Sequence, residues 1–282
     1  MRMLVSFLVV IVVTILSTAA FAAQKKVLVI SDIDDTIKSS HVLNPVRAAL
    51  RVTNYSLRFS GMAQLYQLIF YQENTQTRFV YLSNAPQKIA GVGALQLAHE
   101  TFIRHNKFPN GLVSLKDDFF EKNHKIDEIR RLTDLEKPDQ VIFIGDNGER
   151  DVEIYDQASI ELLAKGIAVV TFIHQIYKTT SSLFDGPFYP EVGKKLKRDQ
   201  VGFVTPVEIS IELHKLGLLD STAKNWMIEN VAPYIASEKF FNLDTIGNIT
   251  FPSYKKCADF VWKWQITAQL TPLVKKIKSQ CR

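Results

Sequence analysis

The chain has 282 residues, 46% of them apolar and 22% charged, with a formal charge of +5 and a pI near 9.0. This composition excludes a disordered chain and leaves room for one large or two modest folded domains. The positive charge suits anionic partners such as phosphate esters or acidic lipid surfaces, but the basic runs at 194–198 and 275–278 read as solvated faces and neither is given a nucleic-acid role.

Residues 1–22 carry Arg2, an apolar run from Leu4 to Leu16 and small residues ending in Ala20-Phe21-Ala22. This is the layout of a secretory signal cleaved after Ala22, so the expectation is an exported protein, periplasmic or secreted. The stretch from Met3 to Ala23 is also long enough to remain as an N-terminal membrane anchor.

Lys25-Lys26 leads into Val27-Leu28-Val29-Ile30, a continuous β-branched and apolar run that suits a strand buried on both faces of a parallel sheet. The same grammar recurs at 78–82, 140–144 and 167–172. Helical periodicity occupies 62–71, 88–106, 124–132 and 151–165. Strands alternating with such helices predict βαβ units and a three-layer α/β fold. Residues 202–206 read as a last short strand or loop, and 207–216 as a helix. Residues 179–199 are the longest stretch without periodicity and form a candidate mobile loop. Beyond Leu219 the strand signal disappears, and the tail, with Trp226, Tyr234, Trp262 and Trp264, is predicted to be a mainly helical extension that packs its aromatics on the core. The expected organisation is a signal peptide at 1–22, a catalytic domain at 23–218 and this extension at 219–282.

The two cysteines, Cys257 and Cys281, suggest a disulfide if the chain enters an oxidising compartment. One straight helix between them would hold them about 36 Å apart, so a bridge requires a turn, which Thr271-Pro272 can supply. Two unpaired thiols are the alternative.

In open α/β sheets ligands bind beyond the carboxyl ends of the strands. The first apolar run ends in Asp32-Ile33-Asp34-Asp35-Thr36, the second in Ser83-Asn84-Ala85-Pro86 and the third in residues 145–151, GDNGERD, while Lys125 opens the helix before that third run. Carboxylates, a hydroxyl and an ammonium at these ends form a coherent site for an anion and a magnesium ion. Residues i and i+2 of an extended chain point the same way, so Asp32 and Asp34 can face one phosphate while Asp35 points elsewhere as a structural carboxylate.

The order D-x-D-x-T, Ser, Lys, G-D-x4-D resembles the four motifs of the haloacid dehalogenase superfamily. More closely, SDIDDTIKSS at 31–40, FSGMAQLYQLI at 59–69, VYLSNAP at 80–86, FPNGLVSLKD at 108–117, HKIDEI at 124–129 and IFIGDNGERDVEIY at 142–155 resemble the catalytic domain of actin-patch-type phosphatidate phosphatases and their bacterial relatives. The likeness spans 27–155 and continues more weakly to 218. It implies a Rossmann-like haloacid dehalogenase core with a minimal cap. It also implies a phosphomonoester hydrolase with Asp32 as nucleophile and Asp34 as general acid and base. Mg2+ would be held by Asp32, the backbone carbonyl of Asp34 and Asp146, with Asp151 behind them or as a further ligand. Ser83, the Asn84 backbone N–H and Lys125 would bind the phosphoryl group, with Lys116 the rival for the lysine role. Asn147 and Val152 depart from the Ser and Pro usual in the family, whereas Glu153 and Tyr155 are retained.

The short insert at 41–57 implies an open site, suited to a phosphatidate-like lipid at a membrane surface. The competing readings are a broad-specificity phosphatase or nucleotidase on soluble esters and a non-catalytic lipid- or partner-binding module. A receiver domain fits poorly, because its phosphoacceptor sits on a later strand, where this chain has Ser83. His99, His105, His124 and His174 lack metal-ligand spacing and read as packing or surface residues. Asn54-Tyr55-Ser56 and Asn248-Ile249-Thr250 are glycosylation sequons.

Overall fold

The computed structural model describes residues 24–44, 46, 48, 51, 54–87, 94–117, 121, 123–180, 192–237 and 257–281. Within them six strands form one sheet: β1 (Lys25–Ser31), β2 (Thr75–Pro86), β3 (Leu112–Lys116), β4 (Gln140–Asp146), β5 (Ala168–His174) and β6 (Gln200–Phe203). Their spatial order is β3-β2-β1-β4-β5-β6. Every pairing is parallel, with Val27 beside Thr77 on one side of β1 and beside Gln140 on the other.

The period of two along each strand divides the core between two faces. Val27, Val29, Phe79, Tyr81, Ile142 and Ile144 point to one face, where they pack with α1 (Met62–Phe70), α2 (Ala94–His105) and α5 (Pro206–Lys215). Leu28, Ile30, Val80, Leu82, Val141 and Phe143 point to the other, against α3 (His124–Glu136) and α4 (Asp151–Ala164). Because both faces are covered, the central strands are apolar at successive positions, and all seven residues of β4 are buried. The result is the expected three-layer α/β architecture.

β3 has no counterpart among the strands predicted from the sequence. It is an edge strand with only Leu115 fully buried, so it lacks the continuous apolar run that marks the others. The predicted helix at 88–106 appears as α2 from Ala94, and 88–93 lie outside the described residues, as do 1–22, 181–191 and 238–256. Among the described residues no helix is long and apolar enough to cross a membrane.

The C-terminal part covers the α1–α5 face. It comprises α6 (Ser221–Trp226), a π-helical turn (Met227–Val231), α7 (Ala232–Ser237) and α8 (Thr271–Gln280). Met227, Val231, Ile235, Leu273 and Ile277 join that face's core. Gly61, at φ 84° before α1, permits this approach, since a Cβ there would meet Val231 Cγ1 at 2.5 Å and Pro206 Cγ at 2.8 Å. Of the aromatics expected to be packed away, Trp264 is buried and donates to Glu212 at 2.8 Å, but Trp226 and Tyr234 are 40% and 56% exposed. Cys257 and Cys281 form a disulfide with their Cα atoms 4.5 Å apart. The turn that permits it ends where α8 begins at Thr271-Pro272, because proline at the first helical turn needs no N–H partner.

Candidate active site

The chain leaves β1 toward β2 on one side, while β4 lies on the other, so the carboxyl ends of β1 and β4 flank the topological switch point. Asp32 follows β1 directly, and its N–H donates to the Ile144 carbonyl of β4 at 2.8 Å. Asp146 ends β4, and Asp151 opens α4. Oxygen atoms of Asp32, Asp146 and Asp151 lie within 4.8 Å of one another, and all three residues are buried. Lys125, in the first turn of α3 and 1% exposed, reaches into this group and donates to Asp32 Oδ1 and Asp151 Oδ1, each at 2.6 Å.

Three buried carboxylates facing one ammonium leave two negative charges uncompensated when all are ionised. Burial therefore pushes the Asp32 carboxyl well above its ordinary range, with the charges of Asp151 and Asp34 adding to it and Lys125 opposing. Asp146 is raised likewise, by burial and then by Asp151 and Asp32. For Lys125 burial acts downward, but Asp151 and Asp32 outweigh it and hold the ammonium charged. A divalent cation would cancel the excess charge, and an all-carboxylate donor set suits a hard ion. The triad thus fits a metal on its own chemistry. Gly148 keeps the loop close, donating its N–H to Asp146, and a Cβ there would meet Tyr177 at 2.6 Å and Asp146 Oδ1 at 2.8 Å.

Asp34 sits in different surroundings. Its Oδ1 accepts from Ser40 Oγ at 2.5 Å, while Oδ2 lies 3.3 Å from Ser83 Oγ and 3.1 Å from His99 Nε2. Burial acts to raise this carboxyl, but His99, Lys38 and Ser40 prevail and hold it well below the usual carboxylate range. Beside it opens a cleft of about 200 Å³ lined by Asp32, Asp34, Lys38, Ser40, Ser83, Asn84, His99 and Glu149, with apolar Val42, Ala48, Ala85 and Leu95.

Asp35 serves the loop. At φ 61° its carboxylate accepts backbone N–H groups of Ser40, His41 and Val42, each at 2.8 Å, and the Tyr177 hydroxyl at 2.5 Å. Asn147 ties two further segments to the site. Its Oδ1 accepts from Ile176 N and Tyr177 N at 3.1 and 3.0 Å, and its Nδ2 donates to the Tyr177 carbonyl at 2.7 Å.

The structure therefore brings Asp32, Asp146, Asp151 and Lys125 into one group, and Asp34 and Ser83 into an adjoining one. Lys116 ends edge strand β3, two strands from β1, whereas Lys125 touches Asp32. Asn84 lines the cleft and turns its side-chain amide to Glu149 Oε2 at 3.2 Å. Sequence reasoning missed Lys38, Glu149 and His99. Lys38 and Glu149 stood inside quoted motifs, and their proximity to the aspartates was the available signal. His99, read as a packing or surface residue, faces Asp34 across 65 positions of chain, and nothing in the local pattern marks that contact.

Residues 27–171 match the family model described as the phosphatidate phosphatase APP1 catalytic domain. No curated protein is similar enough to count as a relative. Among solved structures, an S. aureus MnaA–UDP co-structure aligns with 78% of this chain and 50% of its own, at 14% identity and a TM-score of 0.35. The chain spans half the length of that protein, and the likeness is too faint to carry an argument.

Proposed function

The chain belongs to the phosphatidate phosphatase APP1 catalytic-domain family, and from that premise we propose that it is an exported, Mg2+-dependent phosphomonoester hydrolase of the haloacid dehalogenase type, acting on phosphatidate or a similar lipid phosphate. The observation that carries this reading is the pairing of Asp32 with Lys125 at 2.6 Å inside the triad with Asp146 and Asp151, next to a cleft that holds Asp34 and Ser83.

Asp32 attacks phosphorus in line and forms an aspartyl-phosphate, which divides one hard displacement into two easier ones. Asp34 gives a proton to the departing ester oxygen and afterwards takes one from the water that hydrolyses the intermediate. Ser83, the Asn84 backbone and Lys125 hold the phosphoryl oxygens. Asp32, the Asp34 carbonyl and Asp146 would hold Mg2+, with Asp151 beside them, and the ion would neutralise charge between nucleophile and phosphate. Export rests on the layout of residues 1–22 and is supported by the Cys257–Cys281 disulfide, which suits an oxidising compartment.

The test is phosphate release from phosphatidate in vesicles and from soluble phosphate esters, with and without Mg2+, for the wild type and Asp32→Asn. The reading expects a Mg2+-dependent preference for the lipid and a loss of at least about 10³-fold in the variant. Equal turnover of small soluble esters would instead favour the broad-specificity phosphatase. Full activity in Asp32→Asn would refute the mechanism.

A further inference from the structure

His99 belongs to none of the strand-end motifs, yet it is 3% exposed and lines the cleft. Its Nδ1 lies 2.8 Å from the Leu95 carbonyl, one turn back on α2. A carbonyl can only accept, so Nδ1 carries a hydrogen and the ring is tied to its own helix. That leaves Nε2 turned to Asp34 Oδ2 at 3.1 Å.

The other groups on Asp34 are less constrained. The Ser83 hydroxyl is 3.3 Å from the same oxygen and also accepts from Ala85 N at 3.1 Å. Ser40 holds the opposite oxygen, Oδ1, from the loop after β1. Hydroxyls swing about one bond, whereas a buried ring bonded at both nitrogens has a single orientation. Nor does His99 belong to the acidic triad on which a metal would sit. A histidine serving packing alone would have no reason to aim its second nitrogen at a carboxylate in the cleft.

We propose that His99 is a positioning residue, which fixes Asp34 Oδ2 so that this carboxyl faces the leaving oxygen of the bound ester. The proposal rests on the reading of Asp34 as general acid. It does not depend on which partner carries the proton, since ring and carboxyl stay bonded either way. In the step concerned, a bond forms between Asp32 and phosphorus, the bond from phosphorus to the ester oxygen breaks, and the proton of the Asp34–His99 pair passes by way of the Asp34 carboxyl to that oxygen, releasing the alcohol. Displacing a catalytic group by about 1 Å can cost about 10²-fold. That cost falls only on leaving groups that need the proton. An alkoxide needs it, and a nitrophenolate leaves without it.

The experiment compares short-chain phosphatidate, an alkyl ester, with p-nitrophenyl phosphate for the wild type, His99→Leu, His99→Gln and Asp34→Asn in the full chain with Mg2+. The readout is kcat/KM, which ends at the first irreversible step and so excludes hydrolysis of the intermediate. Both esters are assayed on one preparation, so their ratio is independent of the folded fraction. His99→Leu should lose about 100-fold on the alkyl ester and under about 3-fold on the aryl ester. His99→Gln, whose amide can still donate to Asp34, should lose less. Equal losses on both esters, or no loss on either, would overturn the positioning role. If Asp34→Asn shows the leaving-group pattern and His99→Leu does not, His99 alone is excluded. If Asp34→Asn lacks the pattern, the acid role of Asp34 fails first.

Discussion

Asp32 and Asp34 are two residues apart on one loop, and their surroundings push them in opposite directions. Asp32 shares a buried group with Asp146, Asp151 and one ammonium, and its carboxyl is pushed up by burial and like charge. Asp34, one pleat further on, has a hydroxyl donor on each oxygen and is held below the usual carboxylate range by His99, Lys38 and Ser40 against its burial. The difference assigns the two sides of the site different needs. The triad side is short of positive charge and would be balanced by a divalent cation, whereas the Asp34 side is already compensated by the protein itself.

The harshest way to break the comparison is Lys125→Met, which strips the triad side of the one cation that pairs with it among the described residues. Removing one partner of a buried pair typically costs about 3–5 kcal/mol, read here as a lower urea midpoint in EDTA. Excess Mg2+ should recover part of the loss, and no recovery would mean that the triad does not respond to a cation.

Next in size is the response of the wild type to metal. Mg2+ at about 100 times its dissociation constant should stabilise the fold by about 2.7 kcal/mol, seen as a rise in Tm. Asp146→Asn should abolish that rise while making the metal-free protein more stable, because one of three repelling charges is gone. Asp34→Asn should keep the rise. A variant pattern reversed between these two positions would erase the distinction between the sides.

The pH dependence sharpens it further. A depressed carboxyl such as Asp34 contributes stability that is present above its ordinary pKa of 3.8 and lost as pH falls through the folded value. A raised carboxyl such as Asp146 contributes below 3.8 and loses that contribution as pH rises through the folded value. In EDTA, Asp146→Asn should therefore gain on the wild type as pH rises above about 4, whereas the wild type's advantage over Asp34→Asn should be full above about pH 4 and shrink as pH falls below it, each by at most about 1.4 kcal/mol per pH unit. Urea midpoints at four or five pH values would show the two opposite slopes, and slopes of one sign would contradict the contrast.

The smallest effect expected is from Thr36→Val. The Thr36 hydroxyl donates to Asp32 Oδ2 at 3.1 Å, and its removal should cost about 1 kcal/mol without altering the Mg2+ response.

Much of this site was legible before any coordinates. The strands around 27–30, 78–82, 140–144 and 167–172 announce themselves because burial on both faces demands apolar residues at successive positions. Their polar ends then name Asp32, Asp34, Ser83 and Asp146, since a parallel sheet leaves its carboxyl ends open to ligands. β3 escaped because an edge strand needs only part of that pattern. Lys38 and Glu149 escaped because a charge next to a motif resembles any surface charge until it is found buried or lining the cleft.

The sequence by itself thus determined the three-layer fold, the strand-end carboxylates and the cysteine pair, all of which follow from local periodicity, residue type and spacing. Only the tertiary structure decided that Lys125 rather than Lys116 meets Asp32, that the two cysteines are joined, and that His99 reaches across from α2 to Asp34. These contacts join positions distant along the chain, and their geometry depends on how helices cross the sheet, which no local pattern of residues encodes.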